Sequence, residues 1–233
     1  MASPPKSTLH DSVNKFTNKT PEEHRSDFEA TVDSNPNVMV SYDKFVLLAS
    51  ELKLDMVALT YAIHMASIKH KGITRKDVAK TPYIIHCIGV CLILIDEGKI
   101  CDANLENQAE ILIASILHDT LEDTATTPEE ITETFDGKVA SLVKEVTNPK
   151  GLNSEESKAW QLAHADSMSK GAKLIKLADR LYNIRDMNPP PAAWSKEKSD
   201  AYVVHSQKLL VKLAGVNGYL EAKLKTELDR LSA

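Results

Sequence analysis

Apolar residues recur at three- and four-residue steps along most of this chain, and that period leaves little room for anything except helices packed on helices. Leu54, Val57, Ala58, Tyr61, Met65 and Ile68 form one such row. Val139, Leu142, Val143 and Val146 form a second, and Leu220, Leu224, Leu228 and Leu231 a third. Helix starts are written beside the rows. Thr127-Pro128-Glu129-Glu130 puts a hydroxyl, a proline and two acids where a capping box needs them, and Thr81-Pro82 opens the apolar run that ends at Ile95. No segment alternates apolar and polar residues between turn signals, so strands are not expected. The prediction is an all-α bundle of about eight to ten helices. Its loops fall near 71–81, 99–104 and 148–153, with a corner at Pro189-Pro190-Pro191.

The first 36 residues break the pattern. They are rich in Ser, Thr, Pro, Asn and charge and poor in large aliphatics, a composition that buries too little surface to fold alone. Residues 1–36 are therefore expected to be a disordered or loosely helical extension, with one short helix signalled by the capping box Thr20-Pro21-Glu22-Glu23. The folded domain is expected at 37–233, long enough for one good-sized core. The longest apolar stretches, Cys87–Ile95 and Ile111–Leu117, are far below the roughly 20 residues that cross a bilayer. The opening Met-Ala-Ser-Pro-Pro-Lys-Ser has no apolar leader, so a cytosolic protein without a membrane partner is expected. Cys87, Cys91 and Cys101 are odd in number and lack C-x-x-C spacing, which reads as buried free thiols.

Charge and glycine content narrow the function. With 28 Lys+Arg against 33 Asp+Glu the net charge is −5, which argues against a nucleic-acid polymer as partner. The eight glycines form neither a dinucleotide-binding G-x-G-x-x-G nor a phosphate-cradling G-x-x-x-x-G-K. Any phosphate must then be held by side chains.

The chemistry concentrates between Ile111 and Thr124. A helix apolar almost all round ends there in His118, Asp119, Glu122 and Asp123, four polar groups that can crowd one sector of a helix. Buried carboxylates are costly unless paired or bound to a metal, so some of these residues look like metal ligands. Taken alone, the cluster equally describes a helix end emerging into solvent. Two further segments bear on it. In Thr81-Pro82-Tyr83-Ile84-Ile85-His86 a histidine interrupts a run of core residues. In Lys173–Asn183, Leu174, Leu177 and Leu181 make a packing face, while Lys176, Asp179, Asn183 and, beyond them, Asp186 form a polar stripe.

Together, an early His, a central His-Asp and a late Asp on a separate helix resemble the HD hydrolase superfamily. More narrowly, the three segments resemble the hydrolase motifs of the RelA/SpoT family and of its small stand-alone members, the metazoan SpoT homologues. The likeness runs from about Leu54 to beyond Tyr202. It implies an HD-type fold for the domain and one divalent metal, manganese by preference, held by His86, His118, Asp119 and Asp179. Two imidazoles and two carboxylates suit such an ion independently. The resemblance assigns Glu122 and Asp123 to activating and orienting a water, Arg75 and Lys76 to phosphate, and Asn183 and Tyr202 to the nucleoside.

The activity so implied is hydrolysis of guanosine 3′,5′-bis(diphosphate), ppGpp, at the 3′ position to GDP and pyrophosphate, without synthesis. Removal of the 2′-phosphate of NADPH on the same site is the alternative, and a catalytically silent nucleotide-binding protein the third reading. Three positions depart from the family pattern: Cys87 stands where a proline is usual, Lys80 where a glycine is usual, and Ser154 where related animal proteins carry a lysine. Oligomeric state is left open.

Overall fold

A computed structural model of the chain describes residues 18–102 and 105–232. It is all-helical, as expected. In chain order the helices are α1 Pro21–Thr31, α2 Pro36–Glu51, α3 Met56–Lys69, α4 Ile84–Leu92 with a π-helical continuation at Ile93–Glu97, α5 Gln108–Leu117 and α6 Thr120–Asp123. There follow α7 Pro128–Thr134, α8 Gly137–Val146, α9 Ser154–His164, α10 Lys170–Arg185, α11 Lys196–Leu213 and α12 Gly218–Ser232. Among the described residues the only β pairing is an isolated bridge between Thr74 and Pro82. No described helix is long and apolar enough to cross a membrane.

The caps follow the sequence signals. Thr20 accepts the Glu23 N–H while Glu23 reaches back to the Thr20 N–H, and Asn153 and Glu156 do the same at α9. Thr127 accepts the Glu130 N–H at the start of α7. Each cap satisfies backbone donors that the first helical turn leaves without partners.

Helix α10 is the hub, packing against α4, α5, α8, α11 and α12. Its buried residues include Lys176, Asp179 and Arg180 as well as Leu174, Leu177 and Leu181. The polar stripe read from the sequence therefore faces inward along part of its length. α4 and α5 are apolar nearly all round because protein surrounds both.

The twelve α-helices among the described residues exceed the expected eight to ten for two reasons. The run from Ile111 to Thr124 is not one helix, because α5 stops at Leu117 and α6 begins at Thr120. Local side chains take the carbonyls that would continue it: His118 Nδ1 bonds the Ser115 carbonyl at 2.7 Å and Thr120 Oγ1 the Leu117 carbonyl at 2.6 Å. The second reason is α1, which lies within the segment expected to stay outside the domain. Its Phe28 is 1% exposed and stacks on Tyr42 of α2 with ring centroids 4.4 Å apart, and Val32 is buried beside it. The packed core thus begins at Phe28 rather than at residue 37. Residues 1–17 of that extension lie outside the described residues.

Cys87 and Cys91 are buried free thiols as expected, while Cys101 is only half-buried.

Candidate active site

Three helical segments bring the early His, the His-Asp pair and the late Asp to one point. His86 comes from α4, His118 and Asp119 from the break between α5 and α6, and Asp179 from α10. The two imidazoles face each other, Nε2 to Nε2, at 3.1 Å. Asp119 Oδ2 lies 3.0 Å from His118 Nε2 and 3.4 Å from His86 Nε2. Asp179 Oδ1 lies 3.3 Å from His86 Nε2 and 3.8 Å from His118 Nε2. His86 and His118 are buried, and Asp179 is 8% exposed.

Four acceptor atoms converging on one point repel one another unless protons or a cation lie between them. The Ser115 carbonyl can only accept, so His118 Nδ1 donates to it and Nε2 is turned inward. The carboxylates are likewise oriented from behind: the Tyr83 hydroxyl donates to Asp119 Oδ2 and Asn183 Nδ2 to Asp179 Oδ1, both at 2.6 Å. Burial alone would raise Asp119, but the charge and hydrogen bond of His118, joined by His86, outweigh it and hold the carboxyl well below its usual range. Burial would lower His118, yet Asp119 and then Asp179 push it up to about 9. These groups fit a divalent cation: the ligand atoms of His86, His118 and Asp119 lie within 4.8 Å of one another, and Asp179 closes the fourth side.

Glu122 and Asp123 stand on α6, one turn beyond the His-Asp pair and at the solvent edge. Glu122 has fixed partners, accepting from the backbone N–H and from Nδ2 of Asn148, each at 3.2 Å. Asp123 instead feels its neighbours through their charge. The surrounding protein, then the carboxylates of Asp119 and Glu122, push it up to about 6.

The loop before α4 is clasped by two backbone bonds, Arg75 N–H to the Thr81 carbonyl at 2.8 Å and Tyr83 N–H to the Ile73 carbonyl at 3.0 Å. Arg75 points inward from this clasp. Its guanidinium lies 5.4 Å from the Tyr83 ring centre and 5.5 Å from that of Tyr182, and it donates to Asn183 Oδ1 at 2.9 Å and to Asp186 Oδ2 at 2.6 Å. Lys76, its expected partner, is exposed. The pair is therefore split between an inner and an outer position. Lys80, which replaces the family's glycine, takes φ +53°, the left-handed region that glycine occupies most easily. Ser154 opens α9 and is exposed. Tyr202 stands farther along the wall, edge-on to Trp194 and beneath the Arg180 guanidinium.

Several residues in this arrangement carry no sequence-derived role: Tyr83, Tyr182, Asp186, Asn148, Gln161 and Arg180. Tyr83 and Tyr182 could have been suspected from their places beside His86 and Asn183 in the motifs. Asn148 and Gln161 lie in unremarkable polar sequence.

Tyr182 also makes a testable demand on α4. A Cβ built on Gly89 would sit 2.0 Å from Tyr182 Cε2, closer than any real contact. Gly89→Ala is expected to displace this ring from His86, which it meets edge-on at 4.8 Å, and from Arg75. The expected cost is about 1–3 kcal/mol of stability, read as a lower urea midpoint at unchanged slope.

Comparison with known proteins follows the same geometry. Residues 62–219 match the HD domain family. The chain is 43% identical over 171 residues to the Xenopus tropicalis guanosine-3′,5′-bis(diphosphate) 3′-pyrophosphohydrolase MESH1, covering 73% of this chain and 92% of that protein. The human MESH1 is 43% identical over 168 residues, with 72% of this chain and 90% of the relative covered. A solved metazoan orthologue of SpoT, described as hydrolysing ppGpp, superposes with a TM-score of 0.68 at 36% identity, covering 74% of this chain and 94% of that one.

Proposed function

The chain belongs to the HD-domain family, and from that premise we propose that it is a metal-dependent phosphohydrolase acting in the cytosol on ppGpp, releasing GDP and pyrophosphate. The observation that carries the reading is the four-sided knot of His86, His118, Asp119 and Asp179. It stands in a chain 43% identical to pyrophosphohydrolases whose length it covers by nine-tenths. His86, His118, Asp119 and Asp179 would hold one divalent cation, for which Mn²⁺ is our choice. Bound there, it supplies positive charge to phosphoryl oxygens and lowers the pKa of a nearby water.

The protein's own residues do the rest. Glu122 and Asp123 face the solvent side of the knot, where one orients the attacking water and the other accepts its proton. The water oxygen forms a bond to the phosphorus attached at the 3′ position. The bond from that phosphorus to the ribose 3′-oxygen breaks, the oxygen takes a proton, and pyrophosphate leaves. Arg75 has Nε and Nη2 engaged by Asp186 and Asn183, so Nη1 carries the N–H bonds left for phosphate. Lys76 meets phosphate from the outer side of the loop, while Asn183 and Tyr202 contact the nucleoside. This division of labour explains how an acidic chain without a glycine cradle can bind a polyanion.

The test is a release assay. Purified protein with Mn²⁺ is expected to free pyrophosphate from ppGpp, to lose that activity in excess EDTA and to regain it when Mn²⁺ is restored. NADPH and ordinary nucleotides are run beside it. A higher kcat/KM for phosphate release from NADPH would replace the substrate with the alternative, and binding without turnover under every divalent metal would overturn the enzyme reading.

A further inference from the structure

Glu122 is the last member of a hydrogen-bond chain that starts at a buried arginine. Arg180 is 5% exposed, and its guanidinium donates to uncharged partners. Its Nη2 donates to Gln161 Oε1 at 3.2 Å, its Nη1 to Ser206 Oγ at 3.4 Å, and its face lies 4.8 Å from the Tyr202 ring centre. Guanidinium groups only donate, so Gln161 must turn its oxygen toward Arg180. His205 gives that oxygen a second donor, Nε2 at 3.0 Å. Burial, then the charge of Arg180, push His205 down to about 4, so at neutral pH it is an uncharged ring with one N–H to give.

With its oxygen committed, Gln161 can offer only Nε2 to Asn148, and Nε2 meets Asn148 Oδ1 at 3.2 Å. Asn148 is then committed in turn. Its Nδ2 and its backbone N–H go to the two oxygens of Glu122. Side-chain amides are ambiguous in orientation by themselves, but a donor-only residue at one end removes the ambiguity at every step. A carboxylate is the one group whose two oxygens both accept, and one stands at the other end.

We propose that Gln161 and Arg180 are positioning residues for the hydrolytic reaction, acting through Asn148 to hold the Glu122 carboxylate in a single orientation. The proposal rests on the reading of Glu122 as a residue that acts on the attacking water. Glu122 is on the surface, where a glutamate side chain otherwise samples several rotamers. Two donors from Asn148 fix both oxygens and leave their remaining lone pairs to a water. The relay joins α6, the loop after α8, α9 and α10, so the helix that carries Asp179 is linked to the helix that carries Glu122.

The experiment is a double-mutant cycle on the Mn²⁺-loaded full chain, using pyrophosphate release from ppGpp, with thermal unfolding of each variant without metal. Gln161→Met is expected to lower kcat roughly tenfold with KM within about twofold, since it misplaces a group instead of removing a substrate contact. In a Glu122→Gln background the same change is expected to leave the residual rate unaltered. Gln161→Glu separates positioning from scaffolding. It offers Arg180 a carboxylate and keeps or raises the melting temperature, yet it has no donor for Asn148 and loses kcat as Gln161→Met does. Equal losses from Gln161→Met in both backgrounds, or full kcat in Gln161→Glu, would overturn the relay while leaving Glu122 in its role. Full activity in Glu122→Gln would overturn that role, and the relay with it.

Discussion

Asp119→Ala is expected to lower pyrophosphate release by at least about a thousandfold, the equivalent of roughly 4 kcal/mol in the barrier. The size follows from how much converges on one carboxylate. Asp119 Oδ2 accepts from the Tyr83 hydroxyl at 2.6 Å and lies 3.0 Å from His118 Nε2 and 3.4 Å from His86 Nε2. Removing it leaves two buried imidazoles facing each other with one carboxylate instead of two, and the half-buried Tyr83 hydroxyl without its acceptor. In the proposed enzyme it also removes a metal ligand, and with it charge stabilisation worth several kcal/mol. Equilibrium dialysis should show Mn²⁺ stoichiometry falling from near one to near zero in parallel with activity. Asp166→Ala is the control, because that carboxylate pairs with Lys212 on the surface, away from the knot. Undiminished turnover in Asp119→Ala would remove the metal assignment altogether.

What the sequence disclosed about this site, and what it did not, follows from how far apart the interacting residues lie. Helical period exposed the all-α class because burial on one face repeats every turn. His86, His118 and Asp119 stood out because each is a polar residue within or at the end of an apolar run, a contradiction visible within a few positions, whereas Asp179 lay in a polar stripe and was marked by the family resemblance. The contacts that orient them are not local. The relay steps from Glu122 to Asn148 across 26 positions, from Asn148 to Gln161 across 13 and from Gln161 to Arg180 across 19. No period or motif marks such pairs. Arg75 illustrates the same limit. The resemblance marked it for phosphate, but nothing near it in the sequence shows that it turns inward to lie against two tyrosines and to pair with Asp186, 111 positions away.

The break between α5 and α6 was hidden for another reason. Spacing arguments assume a continuous helix, and nothing in Ile111–Thr124 contradicts one except the capacity of His118 and Thr120 to occupy backbone carbonyls themselves. The break serves the site. It lets the His-Asp pair turn both ligands toward α4 and α10 while the following acids stay at the solvent edge. A continuous helix would carry Glu122 and Asp123 over the same face as His118 and Asp119.

Phe28→Ala is expected to cost about 3–5 kcal/mol of stability, the range for truncating a fully buried aromatic. Composition placed this residue outside the domain, since a segment rich in Ser, Thr, Pro and Asn does not promise a core. One aromatic suffices to reverse that. Phe28 is 1% exposed, stacks on Tyr42 with planes 19° apart, and is joined in the core by Val32 one turn later. The other candidates for holding α1 in place are weaker. Arg25 bonds Asp43 of α2 through Nε and Nη2, but both side chains are about half exposed, and such pairs contribute under about 1 kcal/mol. The Thr20–Glu23 capping box contributes about 1 kcal/mol to a helix of eleven residues that would not persist alone. Urea unfolding of Phe28→Ala and Arg25→Ala should therefore separate widely. The first should show a large drop in midpoint at a similar slope and the second a shift within about 1 kcal/mol. If α1 were an appendage, Phe28→Ala would fall within about 0.5 kcal/mol of the parent protein. Because α1 also packs on α3, whose end feeds the clasped loop carrying Arg75 and Tyr83, the same variant should lose turnover well below its unfolding midpoint.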